Sequence, residues 1–148
     1  MIKNIMRTVF IDYEFRNDIN FLKNIGFFKQ FDIKKLRKII SVIYKKNYLK
    51  GEVLYNCGED VKMLFILKEG QIELFSGSVT KKILPNQFVN QYDIETQQTY
   101  TATAKVTEDS LVYVIYKQEF DNLFNTEKVF IFEKINAVFK KVKNVFKK

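Results

Sequence analysis

Glycines divide the middle of the chain into short β-type segments, and their spacing constrains the fold more than any other feature. The four stand 7, 12 and 7 residues apart, at Gly51, Gly58, Gly70 and Gly77. The runs between them, such as Val53 to Tyr55 and Ile72 to Phe75, are rich in β-branched and aromatic residues. Because tight β-turns need a positive φ, these glycines specify turns and not a ligand. The spacing therefore predicts a β-sandwich or β-roll.

Helical patterns precede the β-type segments. The first 16 residues carry apolar side chains at spacings of three and four, which is typical of one helix face. The first eleven contain basic but no acidic side chains, so an organelle-targeting segment is an alternative. Because Asp12 and Glu14 follow at once, an amphipathic docking helix is favoured. Asn17 or Asp18 predicts the cap of a second, short helix, and Asp32 that of a third.

The last 23 residues, 126–148, predict a long basic amphipathic helix. Apolar positions step by four and three residues, as in a coiled-coil seam. This stripe packs either on the chain's own roll or on a partner, and both alternatives stay open. Residues 127–148 carry seven lysines and two glutamates, a net charge of +5, which suits an acidic protein groove or an anionic membrane surface. The candidate partner-binding residues are Ile131, Phe132, Ile135, Val138, Phe139, Val142 and Phe146.

Composition excludes several function classes. The 148 residues contain no histidine, which removes the commonest general base and metal ligand, so we expect neither an enzyme nor a metal site or cofactor. The single cysteine, Cys57, cannot form an internal disulfide, so an intracellular, most often cytoplasmic, location is expected, with an organelle as the alternative. A net charge of +8 favours acidic partners, although usage typical of an AT-rich genome accounts equally for part of it.

Four segments together carry a family resemblance. The string from Lys50 to Asp60 continues into an apolar strand from Met63 to Leu74, while Phe21 to Phe28 precedes it and Leu111 to Phe120 closes it. This order resembles the cyclic-nucleotide-binding domain family over roughly residues 20–125. The resemblance implies a mainly β fold with flanking helices: an antiparallel β-roll, or jelly roll, with N-terminal helices and a long C-terminal helix. We divide the chain into residues 1–16, 17–125 and 126–148.

The resemblance also implies where a ligand would bind. In this family a cassette with the pattern Gly-x-x-Phe-Gly-Glu, followed nine positions later by Arg and then x-Ala-Thr/Ser, holds the cyclic phosphate and ribose. The arginine and a helix start bind the phosphate, and the glutamate accepts from the ribose hydroxyl. The corresponding positions of this chain are Asn90, Gln91, Tyr100, Thr101, Ala102 and Thr103.

Three cassette positions depart from the family pattern. Tyr100 stands at the arginine, and loss of one member of a buried ion pair costs roughly 3–5 kcal/mol. Gln91 stands at the glutamate and accepts more weakly, by about 1 kcal/mol. Asn90 stands at the glycine and is expected to keep a left-handed turn. The ligand-binding positions are therefore degenerate.

Two alternatives follow for the cavity. Tyr100 and Phe88 are expected to fill it with aromatic side chains and so close or shrink it. The weaker alternative is that a nearby lysine, Lys81, Lys82 or Lys105, holds phosphate as a point charge.

The sequence thus predicts a non-catalytic domain that has lost nucleotide binding and serves as a structural or adaptor subunit of a larger assembly, contacting protein partners through its terminal helices. The alternative is a sensor that binds cAMP, cGMP or another small molecule in an altered pocket and signals through its C-terminal helix. We do not expect nucleic acid as a partner, because no helix-turn-helix follows the roll. An anionic membrane surface stays possible as a partner.

Overall fold

The computed structural model describes residues 2–96 and 98–124, with side chains from residue 12 onwards. Helices flank a mainly β unit, as predicted. The elements are, in chain order, helix α1 (Ile2–Lys23), a 3₁₀ helix (Gly26–Gln30), helix α2 (Ile33–Ser41), strands β1 (Tyr44–Tyr48), β2 (Val53–Tyr55), β3 (Met63–Ser76), β4 (Val79–Ile83) and β5 (Gln87–Phe88), helix α3 (Gln91–Thr96), strand β6 (Thr103–Tyr116) and helix α4 (residues 117–124).

The described strands form one antiparallel sheet in which β6 and β3 are the central pair. The order is β1-β6-β3-β4, and the short strands β2 and β5 pair with β6 and β3. The two long strands each pair with a further short strand, and the sheet curls into a roll whose apolar inner face forms the core. The predicted antiparallel β-roll is confirmed.

Strands β3 and β6 are longer than predicted. The sequence predicts a turn at Gly70, but this residue lies inside the continuous 14-residue strand β3, and Glu108 to Ser110 lie inside the equally long strand β6. The register between β3 and β6 shifts around Gly70, where Glu69 pairs with Leu111 and Gln71 pairs with Glu108. The irregular segments of the two strands therefore face each other and form one bulge. Gly70 adopts φ +100°, and a Cβ at this position would lie 2.2 Å from the Ser110 Oγ. The glycine therefore serves a close approach of two strands, and the predicted turn is wrong.

Helix α1 is continuous where two helices were predicted. It runs through Asn17 and Asp18 to Lys23, so neither residue caps a helix. Asp18 is buried instead, where its carboxylate accepts from the Tyr113 hydroxyl at 2.7 Å and pairs with the Lys45 ammonium at 3.1 Å. These contacts hold α1 against β1 and β6. The predicted cap of α2 is confirmed, since the Asp32 side chain accepts from the Lys35 backbone N–H.

Phenylalanines join the helices to the roll. Phe27 of the 3₁₀ helix lies 5.7 Å from Phe88 of β5 and 5.8 Å from Phe124 of α4, measured between ring centroids. Phe28 and Phe31 contact the same rings. Edge and tilted contacts at these distances stabilise a core beyond its buried area. The cluster fixes the 3₁₀ helix and β5 beside the cassette.

The predicted C-terminal helix of residues 126–148 and its candidate partner-binding residues, from Ile131 to Phe146, lie outside the described residues. Of the amphipathic pattern in residues 1–16, the described Tyr13 is 64% exposed.

Candidate functional site

A cavity of about 520 Å³ lies where the cassette meets the rest of the roll. Its walls come from the 3₁₀ helix, from strands β2 to β5, from helix α3 and from Thr101 and Ala102, which directly precede β6. The volume is within the range of about 300–1,000 Å³ that is usual for small-molecule sites. Four of the six predicted positions, Asn90, Gln91, Thr101 and Ala102, line it, whereas Tyr100 and Thr103 do not.

Tyr100 points away from this cavity. It is 3% exposed, and its ring stacks on Tyr55 with a centroid distance of 3.9 Å. Its hydroxyl accepts from the backbone N–H groups of Lys62 and Met63, at 3.2 and 3.3 Å. Burial raises the pKa of Tyr100, and these two hydrogen bonds oppose that rise. The residue at the arginine position is thus a satisfied core side chain.

The prediction that Tyr100 fills the cavity, and that the cavity is closed, is therefore wrong, whereas a cavity that is smaller than that of the family stays a prediction. The Tyr100 hydroxyl accepts a hydrogen bond from Met63, the first residue of β3. Phe88 forms one wall of the cavity, and its ring packs on Phe27. The space between these walls stays open.

Asn90 has a structural role that its sequence position did not reveal. Its buried amide accepts from the Phe65 N–H at 2.9 Å and donates to the Met63 carbonyl at 2.7 Å. Both partners are backbone groups of β3, so the side chain extends the strand pairing at the cassette. Asn90 does not adopt a positive φ, contrary to the prediction. Among the described non-glycine residues only Asn86 does, at φ +70°.

The remaining predicted positions divide between the cavity and the outside. Gln91 is half-buried at the start of α3 and lines the cavity, as the buried Ala102 does. The Thr101 hydroxyl donates to the Asp93 carboxylate at 2.7 Å. The Thr103 hydroxyl lies elsewhere and accepts from the Cys57 backbone N–H at 3.0 Å.

Asp93 is the site residue that sequence reasoning missed. It lies in α3, is 4% exposed and lines the cavity. Burial, and after it the charge of Asp93, raises the pKa of the neighbouring Tyr55 well above its usual range. No local sequence signal marks it, because its burial depends on the packing of α3 on the sheet.

Lys81 is the one predicted lysine that reaches the cavity. It lies on β4 and is exposed, at the rim, whereas Lys82 and Lys105 do not line the space. Lys81 and Asp93 are the only charged residues among the described ones that line the cavity, with one charge of each sign. The residues that the structure describes contain no group of three or more acids or cysteines fit to hold a metal ion.

Comparison with known proteins identifies the family. The family model for the cyclic nucleotide-binding domain matches residues 45–127. The chain belongs to the cyclic nucleotide-binding domain family. The predicted resemblance is thereby confirmed. The residues that line the cavity lie in the matched region and in the helical segment before it.

Two curated relatives in this family are the cGMP-dependent protein kinase 2 of Homo sapiens and that of Rattus norvegicus. Each is 24% identical over 98 residues, which is 66% of this chain and 13% of the relative. The chain thus spans about an eighth of the length of these kinases.

Solved structures share the fold. The CBD2 domain of PKAR bound to Sp-2Cl-cAMPS gives a TM-score of 0.72 at 19% identity, covering 90% of this chain and 91% of that one. The regulatory domain of Toxoplasma gondii PKA with cAMP gives 0.71 at 15% identity, covering 83% and 50%. A cyclic nucleotide-binding protein from Geobacter metallireducens gives 0.67 at 21% identity, covering 83% and 93%.

Proposed function

We propose that this domain has lost the cyclic-phosphate recognition of its family and works as a non-catalytic structural or adaptor module. The observation that carries the proposal is the placement of Tyr100. At the position where the family pattern has an arginine, this chain has a neutral ring that stacks on Tyr55 and a hydroxyl that serves the backbone of β3. No guanidinium is offered to the cavity from this position.

The size of the effect supports the loss of binding. Removing one partner of a buried ion pair costs roughly 3–5 kcal/mol, and each 1.4 kcal/mol is about tenfold in affinity. A micromolar site would weaken to the millimolar range or beyond. Recruiting Tyr100 would in addition break its stack and leave two partly buried backbone N–H groups without this acceptor.

Asp93 opposes an anion directly. Two like charges about 4 Å apart repel by about 4 kcal/mol at an effective dielectric constant near 20. The Asp93 carboxylate is buried in α3, on the cavity wall. Lys81 is exposed at the rim, where water and salt screen its attraction for a phosphate. The charges of the cavity therefore disfavour a cyclic nucleotide.

The adaptor role requires partners, and we propose protein partners that contact the terminal helices. The support is the sequence pattern: the stripe from Ile131 to Phe146 and the net charge of +5 in residues 127–148. An acidic protein groove suits this charge, and an anionic membrane surface is the alternative. No helix in the described part of the chain is long and apolar enough to cross a membrane. We propose an intracellular location because the exposed Cys57 is free.

A second candidate function, a sensor for another small molecule, is favoured by one observation. The cavity of about 520 Å³ is open and has polar side chains on its walls. An adaptor needs no such space.

Restoring the family pattern tests the proposal. We expect the wild-type chain to bind neither cAMP nor cGMP at micromolar concentration. The triple variant Gln91→Glu, Asp93→Asn and Tyr100→Arg, which returns the carboxylate and guanidinium and removes the buried acid, should bind more tightly. Equilibrium dialysis with labelled cAMP compares the two chains. Micromolar binding of cAMP or cGMP by the wild-type chain would refute the proposal.

A further inference from the structure

The Asp93 carboxylate is incompletely satisfied. One oxygen accepts from the Thr101 hydroxyl at 2.7 Å, and no hydrogen bond or ion pair from the described residues reaches the other. The residue is only 4% exposed and lines the cavity. A buried carboxylate without a partner charge is costly, so the arrangement favours a cation that would complete it.

Aromatic side chains surround the same space. Tyr55, Phe27, Phe88 and Tyr92 line the cavity together with Asp93. The Tyr55 hydroxyl is buried, and no described residue makes a hydrogen bond with it. An anionic group set among aromatic rings is the usual environment for an ammonium group, which is attracted to both.

The one cation on the wall does not cancel this preference. Lys81 belongs to β4, and its side chain is exposed at the rim. A solvated ammonium interacts weakly with a ligand, whereas a buried carboxylate interacts strongly. No acid among the described residues forms an ion pair with Lys81, so Asp93 is not its partner. The buried charge that a bound ligand meets on the cavity wall is therefore negative.

We propose that this cavity binds a small organic molecule that carries a protonated amine on an aromatic or apolar body, with Asp93 accepting from the ammonium group. This inference rests on the proposed function, because it requires that the cassette no longer binds a phosphate. The proposed ligand group is a cationic ammonium, whereas the cassette of the family holds an anionic phosphate. The rings of the wall would enclose the apolar body, and the free Tyr55 hydroxyl would give a second polar contact.

Two probes of equal shape and opposite charge test the inference. Phenethylamine carries the ammonium group, and hydrocinnamate carries a carboxylate on the same body. Each is titrated into the full chain by calorimetry. We expect the amine to bind in saturable fashion at millimolar concentration or below and the acid not to bind. Preference for the acid, or no saturable binding of the amine, would overturn the proposal.

Variants locate the interaction. Asp93→Asn removes the charge and should weaken amine binding about ten- to hundredfold, whereas Asp12→Asn, the same change at an exposed position of α1, should leave it unchanged. Equal affinity in the Asp93 variant overturns the proposal. If that variant does not fold, amide NMR of the wild-type chain decides. Amine-induced shifts at Thr101 and Ala102 support the site, and shifts confined to other residues refute it.

A parallel titration with cAMP separates this inference from the proposed function. Binding of cAMP to the wild-type chain contradicts the loss of nucleotide recognition, whatever the amine does. Absence of both cAMP and amine binding leaves that function standing and refutes only the amine site.

Discussion

The ring of Tyr100 stacks on the ring of Tyr55, with centroids 3.9 Å apart and planes tilted by 16°. Tyr55 stacks in turn on Phe65 at 5.6 Å, so three aromatic rings form a continuous column inside the roll. Tyr100, which the family resemblance assigns to the arginine position, is therefore part of the core. The cavity beside it is lined by the buried Asp93.

The Tyr100 hydroxyl should contribute measurably to stability. Tyr100→Phe keeps the stack but removes the acceptor for the backbone N–H groups of Lys62 and Met63 at the start of β3, and we expect a loss of about 1–3 kcal/mol in the free energy of unfolding. Urea denaturation followed by circular dichroism measures it. Tyr13→Phe, which removes a hydroxyl from a residue that is 64% exposed, should change stability by less than about 0.5 kcal/mol. Equal effects of the two changes would show that the hydroxyl of Tyr100 is not structural.

Gly70 should be among the least tolerant positions of the sheet. In Gly70→Ala the new Cβ would meet the Ser110 Oγ at 2.2 Å and the Asp109 carbonyl oxygen at 2.6 Å, so we expect a loss of at least about 3 kcal/mol. Gly77→Ala is the matched control, because φ is also positive there but nothing lies within 4 Å, and it should cost about 1 kcal/mol. Thermal unfolding compares them.

A second change separates side-chain from backbone crowding at this bulge. Adding Ser110→Ala to Gly70→Ala should restore little stability, because backbone atoms of Asp109 and Ser110 also lie under 3 Å from the added Cβ. Full rescue would show that the serine hydroxyl alone demands the glycine.

The ion pair between the buried carboxylate of Asp18 and the exposed ammonium of Lys45 should outweigh a pair in which both partners are partly exposed. Asp18→Asn leaves the Lys45 ammonium unpaired and weakens the bond from Tyr113, with an expected cost of about 2–4 kcal/mol. Asp121→Asn disrupts the more exposed pair with Lys117, also at 3.1 Å, and should cost less than about 1 kcal/mol. Guanidinium denaturation of both variants tests the ranking, and a reversed order would contradict the role given to Asp18.

Alkaline pH should destabilise the domain. Burial raises the pKa of Tyr55, Tyr100 and Tyr113 above the ordinary value of about 10, and the hydrogen bond to Asp18 further raises that of Tyr113. Above pH 10 the unfolded chain loses these protons and the folded chain keeps them, so stability is complete below about pH 10 and falls as pH rises beyond it. Urea midpoints measured at pH 8 to 11 test this. A constant midpoint over that range would contradict it.

Local patterns predicted the elements that depend on local chemistry. The side chain of Asp32 caps α2 as expected, and the glycine spacing indicated the roll. Gln91, Thr101 and Ala102, which the family resemblance assigns to the cassette, line the cavity, and their assignment as ligand-binding positions stays a prediction.

Long-range contacts account for what the sequence did not show. Asp18 reads as a cap because its nearest partners in the chain are backbone groups, yet its actual partners are Lys45 and Tyr113. The sequence suggests that the Tyr100 ring fills the cavity. The direction of this side chain depends on its hydrogen bonds at the start of β3, which no local pattern reveals. Asp93 escapes notice because its burial follows from the packing of α3 on the sheet.

Calorimetric titration of the wild-type chain with cAMP and with cGMP tests the central claim most directly. Because Tyr100 offers the cavity no cation and Asp93 repels an anion, we predict no saturable heat from either nucleotide at micromolar concentration. Saturable binding of either one with a micromolar dissociation constant would contradict the account.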